Sequence, residues 1–132
     1  MLRPGYTLIE LLVVIAILAL AAGLAVPASS QVIASVTLRS DATLITGILR
    51  GLQDEAVRTQ TAVTVMSSSG PLRTSTGRTL YSSSSLSVEV SEPITFYPDG
   101  TTDGGTLHLG DQSRHLIITV AWLTGDVRVG EP

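Results

Sequence analysis

The 132-residue chain contains no cysteine and no lysine, and aromatic residues make up only 4% of it. Without cysteine no disulfide can brace the fold, even where the chain faces an oxidising compartment. The 8 basic residues are all arginine and stand against 11 acidic residues, for a formal net charge of −3. The chain therefore lacks the excess of basic residues that phosphate binding requires, and nucleic acid is not an expected partner.

Recognisable catalytic and metal-binding patterns are also missing. The two histidines, His108 and His115, lie in or beside predicted strands, and the many serines include no nucleophile elbow and no triad spacing. Asp99 and Asp103 lie near several glycines, but the segment lacks the ligand density and the terminal Glu of a calcium loop. The sequence therefore predicts no enzyme, no catalytic residue, no metal and no cofactor.

One apolar run dominates the amino-terminal part of the chain. No side chain is polar from Leu11 to Val26. A helix over residues 6–26 would be about 31 Å long, close to the hydrocarbon thickness of a bilayer. We expect a transmembrane or filament-core helix there. Arg3 precedes it and predicts a cytoplasmic amino end.

Glu10 lies inside this span, where a carboxylate costs roughly 2.5–3.5 kcal/mol on insertion scales and is expected to have a partner. An ordinary secretory signal would instead have an uninterrupted apolar region and would release a soluble domain starting near Ser29. Glu10 argues against that alternative. The small residues that a signal peptidase would need are nonetheless present, at Ala21, Ala25 and Ala28.

The segment around this carboxylate reads Gly5-Tyr6-Thr7-Leu8-Ile9-Glu10-Leu11. It resembles the class III signal of type IV pilins and pseudopilins, which most often has Phe where Tyr6 stands. The resemblance implies that prepilin peptidase removes residues 1–5, cutting after Gly5, and methylates the new amino terminus at Tyr6. It also implies that Glu10 pairs with the α-amine of a neighbouring subunit. The implied partners are prepilin peptidase, other pilins or pseudopilins, inner-membrane lipid and an inner-membrane assembly platform.

A second helical segment is expected over residues 27–58. Pro27 lacks the N–H that a helix interior needs, so a kink is predicted near it. Beyond Pro27, apolar residues recur at helical spacing and form one stripe. We expect this stripe to pack on the chain's own globular part, and a groove on a partner is the alternative. The stripe consists of Ile45, Ile48, Leu49, Leu52 and Ala56.

Residues 59–132 change to alternating β-branched and polar residues, which is typical of antiparallel strands. Residues 67–85 are rich in Ser, Thr and Gly and predict a long mobile loop. The predicted fold class is α+β, a long amino-terminal α-helix packed on a small antiparallel β-sheet domain, the lollipop shape of pilins. The predicted strands are 62–66, 86–91, 94–97, 106–109, 116–122 and 127–129.

Residues 94–100, 104–109 and 118–129 are similar to the GspH/FimT domain of H-type minor pseudopilins and related minor pilins. DNA-binding members carry Gly-Arg-x-Arg near the carboxy end, but this chain has Gly125-Asp126-Val127-Arg128. The acidic residue argues against DNA capture. A weak DNA contact would use Arg114 and Arg128, within a local patch that also includes Arg73 and Arg78.

Together these features predict a minor pseudopilin, a structural subunit of the pseudopilus in type II protein secretion. The alternative is a minor pilin of a type IV pilus, serving assembly, adhesion, motility or DNA uptake. A secreted soluble binding domain is a third hypothesis. The first two imply a single-pass inner-membrane protein with a cytoplasmic amino terminus and a periplasmic or external carboxy-terminal domain.

Overall fold

The computed structural model describes residues 7–111 and 113–130, except for the side chains of residues 24–34. It divides into two compact units, Met1–Val36 and Thr37–Pro132. A single helix, α1, runs from Leu8 to Thr59 and contributes to both units. Pro27 falls within the helix, but its side chain lies outside the described set, so the kink stays a prediction.

Both ends of α1 are capped. At the start, the backbone N–H of Glu10 donates to the carbonyl of Thr7 at 3.0 Å and to its Oγ1 at 3.4 Å, so Thr7 acts as the N-cap. At the end, Gln60 adopts a left-handed conformation with φ of 53°, and the N–H of Thr61 donates to the carbonyl of Ala56 at 3.2 Å. This is a Schellman closure, which satisfies a terminal carbonyl and stops the helix.

The second unit contains two four-stranded antiparallel sheets, in which hydrogen-bonded neighbours follow the orders β3-β2-β1-β5 and β4-β6-β7-β8. The long β6–β7 hairpin forms the centre of the second sheet. The strands are β1 (Val63–Met66), β2 (Leu72–Thr74), β3 (Thr79–Tyr81), β4 (Ser87–Val90), β5 (Ile94–Phe96), β6 (Gly105–Gly110), β7 (His115–Val120) and β8 (Val127–Gly130).

The core of this unit lies between the carboxy-terminal part of α1 and the inner faces of the sheets. Burial alternates along β4 and β7, as the two-residue period of a strand requires. The predicted helix stripe is buried apart from Ile48, which is half-buried, so packing on the chain's own sheets is confirmed. The buried helix side chains are Leu38, Ala42, Ile45, Leu49, Leu52 and Ala56.

The prediction of a loop over residues 67–85 is wrong, because the structure places β2 and β3 within it. Each strand has three residues, too few to show a two-residue period against a background of Ser and Thr. Leu72 and Tyr81 nevertheless bury their side chains and anchor the strands to the core. Gly77, with φ of 87°, supplies the left-handed conformation that the tight turn between them needs.

The other six predicted strands are present with small shifts at their ends. The largest shift is at residues 116–122, where β7 ends at Val120. Trp122 therefore lies in the turn before β8, and the extension of the strand through Trp122 was wrong. Leu123 has a φ of 73°, which no strand residue adopts, and this backbone conformation ends the strand pattern.

Candidate functional site

The predicted processing site comprises Gly5 and Tyr6, and both residues lie outside the described part of the chain. The described structure begins at Thr7, which caps the first turn of α1. Glu10 lies in that first turn, where its negative charge is favourably placed against the positive end of the helix dipole. Thr7 and Glu10 have the residue types and spacing of a capping box, so this carboxylate also suits the start of a helix.

The helix surface around Glu10 is apolar on every side. Each described side chain from Thr7 to Gly23 is exposed within the unit. A helix that is apolar all round is stable only inside another apolar environment, such as a bilayer or the core of an assembly. Residues 8–23 of α1 therefore need cover from outside their own unit.

Glu10 is the only charged residue between positions 7 and 38. A cation that pairs with it along this stretch must come from another part of the chain or from another molecule. In an apolar surrounding, an unpaired carboxylate is costly and a paired one much less so. Glu10 can therefore act as a recognition point for a cation that a second molecule supplies.

Arg114 and Arg128, the residues predicted for a weak DNA contact, are well separated. On β8, Arg128 lies opposite Thr119 of β7. Thr119 is about five residues further along the chain than Arg114, which directly precedes β7, and this separation corresponds to roughly 17 Å at strand spacing. The Nε of Arg128 donates to Oδ2 of Asp126 at 2.8 Å. Asp126 therefore opposes the charge of Arg128, and the structure does not bring the two arginines into one patch.

Another arginine of the predicted patch is also ion-paired. Arg78 donates from Nη2 to Oε2 of Glu55 on α1 at 2.7 Å. This hydrogen bond and the charge of Arg78 hold the pKa of Glu55 below its ordinary value, while the same bond and the charge of Glu55 raise the pKa of Arg78. The contact links the segment before β3 to the helix, which gives Arg78 a structural role.

Asp99 and Asp103 serve the turns in which they lie. Oδ1 of Asp99 accepts hydrogen bonds from the backbone N–H of Thr101 at 2.9 Å and from its hydroxyl at 2.6 Å, which lower the pKa of Asp99. The hydroxyl of Tyr97 donates to Asp103 at 3.0 Å, and this bond raises the pKa of Tyr97. Across the described ranges, no group of three or more acidic or histidine side chains is arranged to hold a metal ion.

The comparison with protein families matches residues 2–26 to the family described as the prokaryotic N-terminal methylation motif. The matched segment contains the predicted cleavage site, Glu10 and the apolar run. The motif indicates a type IV pilin-like protein that prepilin peptidase processes and that assembles with other pilins. It also implies membrane anchoring.

The searches of curated proteins and of solved structures each returned no match. Among the described residues, no helix combines the length and the apolar character that crossing a membrane demands. The fold of the second unit, with a helix packed on small antiparallel sheets, is consistent with an α+β pilin fold.

One surface feature was missed from the sequence. Trp122, the only tryptophan, was assigned to a strand, but the structure exposes 73% of it in a turn. Leu123 beside it is 50% exposed and has a positive φ. The run Leu123-Thr124-Gly125-Asp126 separates the two predicted strands as a turn, and the error is confined to Trp122, which the structure places in that turn because β7 ends at Val120.

Proposed function

We propose that the protein is a minor pseudopilin, a structural subunit of the type IV filament-like pseudopilus in type II secretion. The observation that carries the proposal is Glu10, the only charged residue between positions 7 and 38, within a segment that matches the methylation motif. The pilin-like α+β fold of the described residues supports the same class. The role is mechanical and assembly-related, without catalytic chemistry of its own.

Processing would create the cation that Glu10 lacks. Cleavage after Gly5 frees the α-amine of Tyr6, which prepilin peptidase then methylates. In the assembled filament, Glu10 of one subunit pairs with this amine on its neighbour. The pair is favourable only in the correct register, because either charge left unpaired in the apolar filament core carries a desolvation penalty. Insertion into the growing filament is thereby coupled to correct alignment.

The proposed topology follows from the same segment. Residues 6–26 cross the inner membrane once, with Arg3 holding the amino end in the cytoplasm. The carboxy-terminal domain then lies in the periplasm or outside the cell. Membership of the GspH/FimT branch is part of the proposal and rests on the likeness of residues 94–129 to that domain.

The secretion branch is favoured by charge. The protein has a net charge of −3, and both Arg78 and Arg128 are paired with acidic side chains. Phosphate binding depends on several cations acting together, so this surface is poorly suited to the DNA capture that some pili perform. A duplex-DNA titration over a range of salt concentrations tests this choice. Binding with a steep salt dependence would favour a pilus subunit for DNA uptake.

The first experiment is the intact mass and amino-terminal sequence of the protein from membranes of a cell that has prepilin peptidase. We expect a methylated start at Tyr6. Gly5→Val should block cleavage, because the side chain obstructs the backbone in the peptidase cleft. Pro4→Ala is the matched control and should be processed normally. A product that starts near Ser29 would replace the proposal with a secreted β-rich domain.

A further inference from the structure

The turn between β7 and β8, residues 121–126, presents an apolar surface that the protein's own core does not use. We name it the Trp122 turn. Trp122 and Leu123 are largely exposed, side by side at its tip. Exposed tryptophan is the residue type most enriched among the dominant contacts of protein interfaces. A protein loses solubility by exposing such a pair, so a binding role would account for its presence.

The backbone of this turn is held in place by several contacts. The N–H of Leu123 donates to the carbonyl of Thr102 at 3.1 Å, and the N–H of Gly125 donates to the carbonyl of Ala121 at 3.0 Å. Leu123 has a positive φ in this hydrogen-bonded turn. Non-glycine residues in this conformation are strained and cluster at ligand-binding sites. A turn held in this way can present Trp122 without the entropy cost of ordering it on binding.

Asp103 belongs to a chain segment that packs against the Trp122 turn. It directly precedes Gly104, where a side chain would come within 2.9 Å of the backbone nitrogen and Cα of Trp122. Asp103 is exposed, and its described partner is the neutral hydroxyl of Tyr97. That bond leaves the charge of the carboxylate in place.

Asp99 adds a second carboxylate through the neighbouring loop. The side-chain Nε2 of Gln53 donates to the carbonyl of Gly100 at 2.8 Å and to that of Thr124 at 3.1 Å. One amide group therefore holds the loop after Asp99 against the Trp122 turn. Asp99 is exposed and is bonded by the neutral groups of Thr101. Asp99 and Asp103 therefore both lie in segments that contact the Trp122 turn, whose own Asp126 is already paired with Arg128.

An exposed indole in a turn that contacts two acidic segments is complementary to a cation. We propose that the Trp122 turn is a docking surface for an arginine- or lysine-bearing segment of a neighbouring filament subunit. The cation lies over the indole face, and Asp99 and Asp103 balance its charge. The apolar stem of the same side chain packs on Leu123. The inference rests on the proposed filament function, and the charges of Asp99 and Asp103 disfavour nucleic acid as the occupant.

The test is photo-crosslinking of the full-length protein in cells that assemble the filament, with p-benzoylphenylalanine at Thr124. We expect a crosslinked partner peptide that contains Arg or Lys. Trp122→Ala should reduce the yield about tenfold or more, as expected for a dominant interface contact. Asp103→Asn should reduce it severalfold, and added salt should reduce it further. The same crosslinker at Thr119, on the exposed face of β7, is the control that Trp122→Ala leaves unchanged.

Exchanging the two opposite charges between the partner and Asp103 tests the proposed ion pair directly. Reversing the crosslinked basic residue of the partner to Asp should abolish the crosslink, and Asp103→Arg should restore it. A yield that Trp122→Ala leaves unchanged, or a partner peptide without a basic residue, would overturn the proposal. Failure of the filament proposal would appear separately, as retention of residues 1–5 in the intact mass. Because Trp122 is exposed, its replacement should leave the unfolding temperature unchanged, which calorimetry verifies.

Discussion

Leu49→Ala tests whether the helix stripe packs on the protein's own sheets. Leu49 is 0% exposed in the core of the second unit. Its replacement removes three buried carbons, worth about 2.4 kcal/mol at roughly 0.8 kcal/mol per methylene, and leaves a cavity that adds to this loss. We expect the free energy of unfolding to fall by about 3 kcal/mol. For a domain of this size the unfolding temperature should fall by roughly 12–24 °C.

The matched control is Leu44→Ala, the same substitution on the same helix at a side chain that is 51% exposed. Its effect on stability should be below about 1 kcal/mol, because little apolar surface returns to water. The assay is differential scanning calorimetry of the full-length protein in nonionic detergent, with near-ultraviolet circular dichroism to follow tertiary packing. Equal shifts for the two variants would refute the reasoning that the buried stripe stabilises the domain.

Three further predictions concern Glu10, Gly110 and Glu55. Glu10→Ala should leave membrane insertion intact but abolish or impair incorporation into filaments, as measured by membrane fractionation and filament shearing; normal incorporation would contradict the proposed pairing. Gly110→Ala should destabilise the β6–β7 hairpin by roughly 1–3 kcal/mol, because an added Cβ would clash with the backbone carbonyl oxygen of Arg114; an unchanged unfolding temperature would refute this. The pKa of Glu55 is lowered by Arg78, so this carboxylate stabilises the fold above its ordinary pKa of 4.5 and loses its contribution as the pH falls through the folded-state pKa. Glu55→Gln should flatten this acid-side dependence in calorimetric scans, and an unaltered slope would show that the ion pair has no role in stability.

The long helix and most of the strands could be predicted because their patterns are long or regular. Ile45, Leu49, Leu52 and Ala56 recur at helical spacing over several turns, and one buried face explains all of them. The alternation in β4 likewise identifies which of its residues point inward. Patterns of this kind are properties of the local sequence, so no knowledge of tertiary contacts is needed to recognise them.

The short strands β2 and β3 could not be predicted, because they depend on contacts made across the fold. Leu72 pairs with Tyr81, and both side chains enter a core formed by distant segments. The pairing of Arg78 with Glu55 has the same origin, since the two residues meet only after the helix packs on the sheet. The exposure of Trp122 follows from the backbone of its turn, and hydrophobic alternation carries no information about that conformation.

For the candidate site, the local signal was sufficient to place Glu10 at the start of a helix, and the structure confirms that position. The match over residues 2–26 supports the interpretation of the segment around it. Its partner could not be located, because the sequence holds no other charge from residue 7 to residue 38. The partner that we propose for Glu10 is an amine on a second molecule, and the sequence of one chain does not specify its position.

Helix α1 supplies six buried side chains to the core of the second unit, from Leu38 to Ala56. A force that pulls on the helix along its axis would load these contacts together, in shear, since they share one helix face. Peeling them apart one after another would require a force across the axis. The folded domain should therefore withstand axial tension far better than a domain joined to its anchor by a flexible linker. Such resistance would suit the filament subunit that we propose.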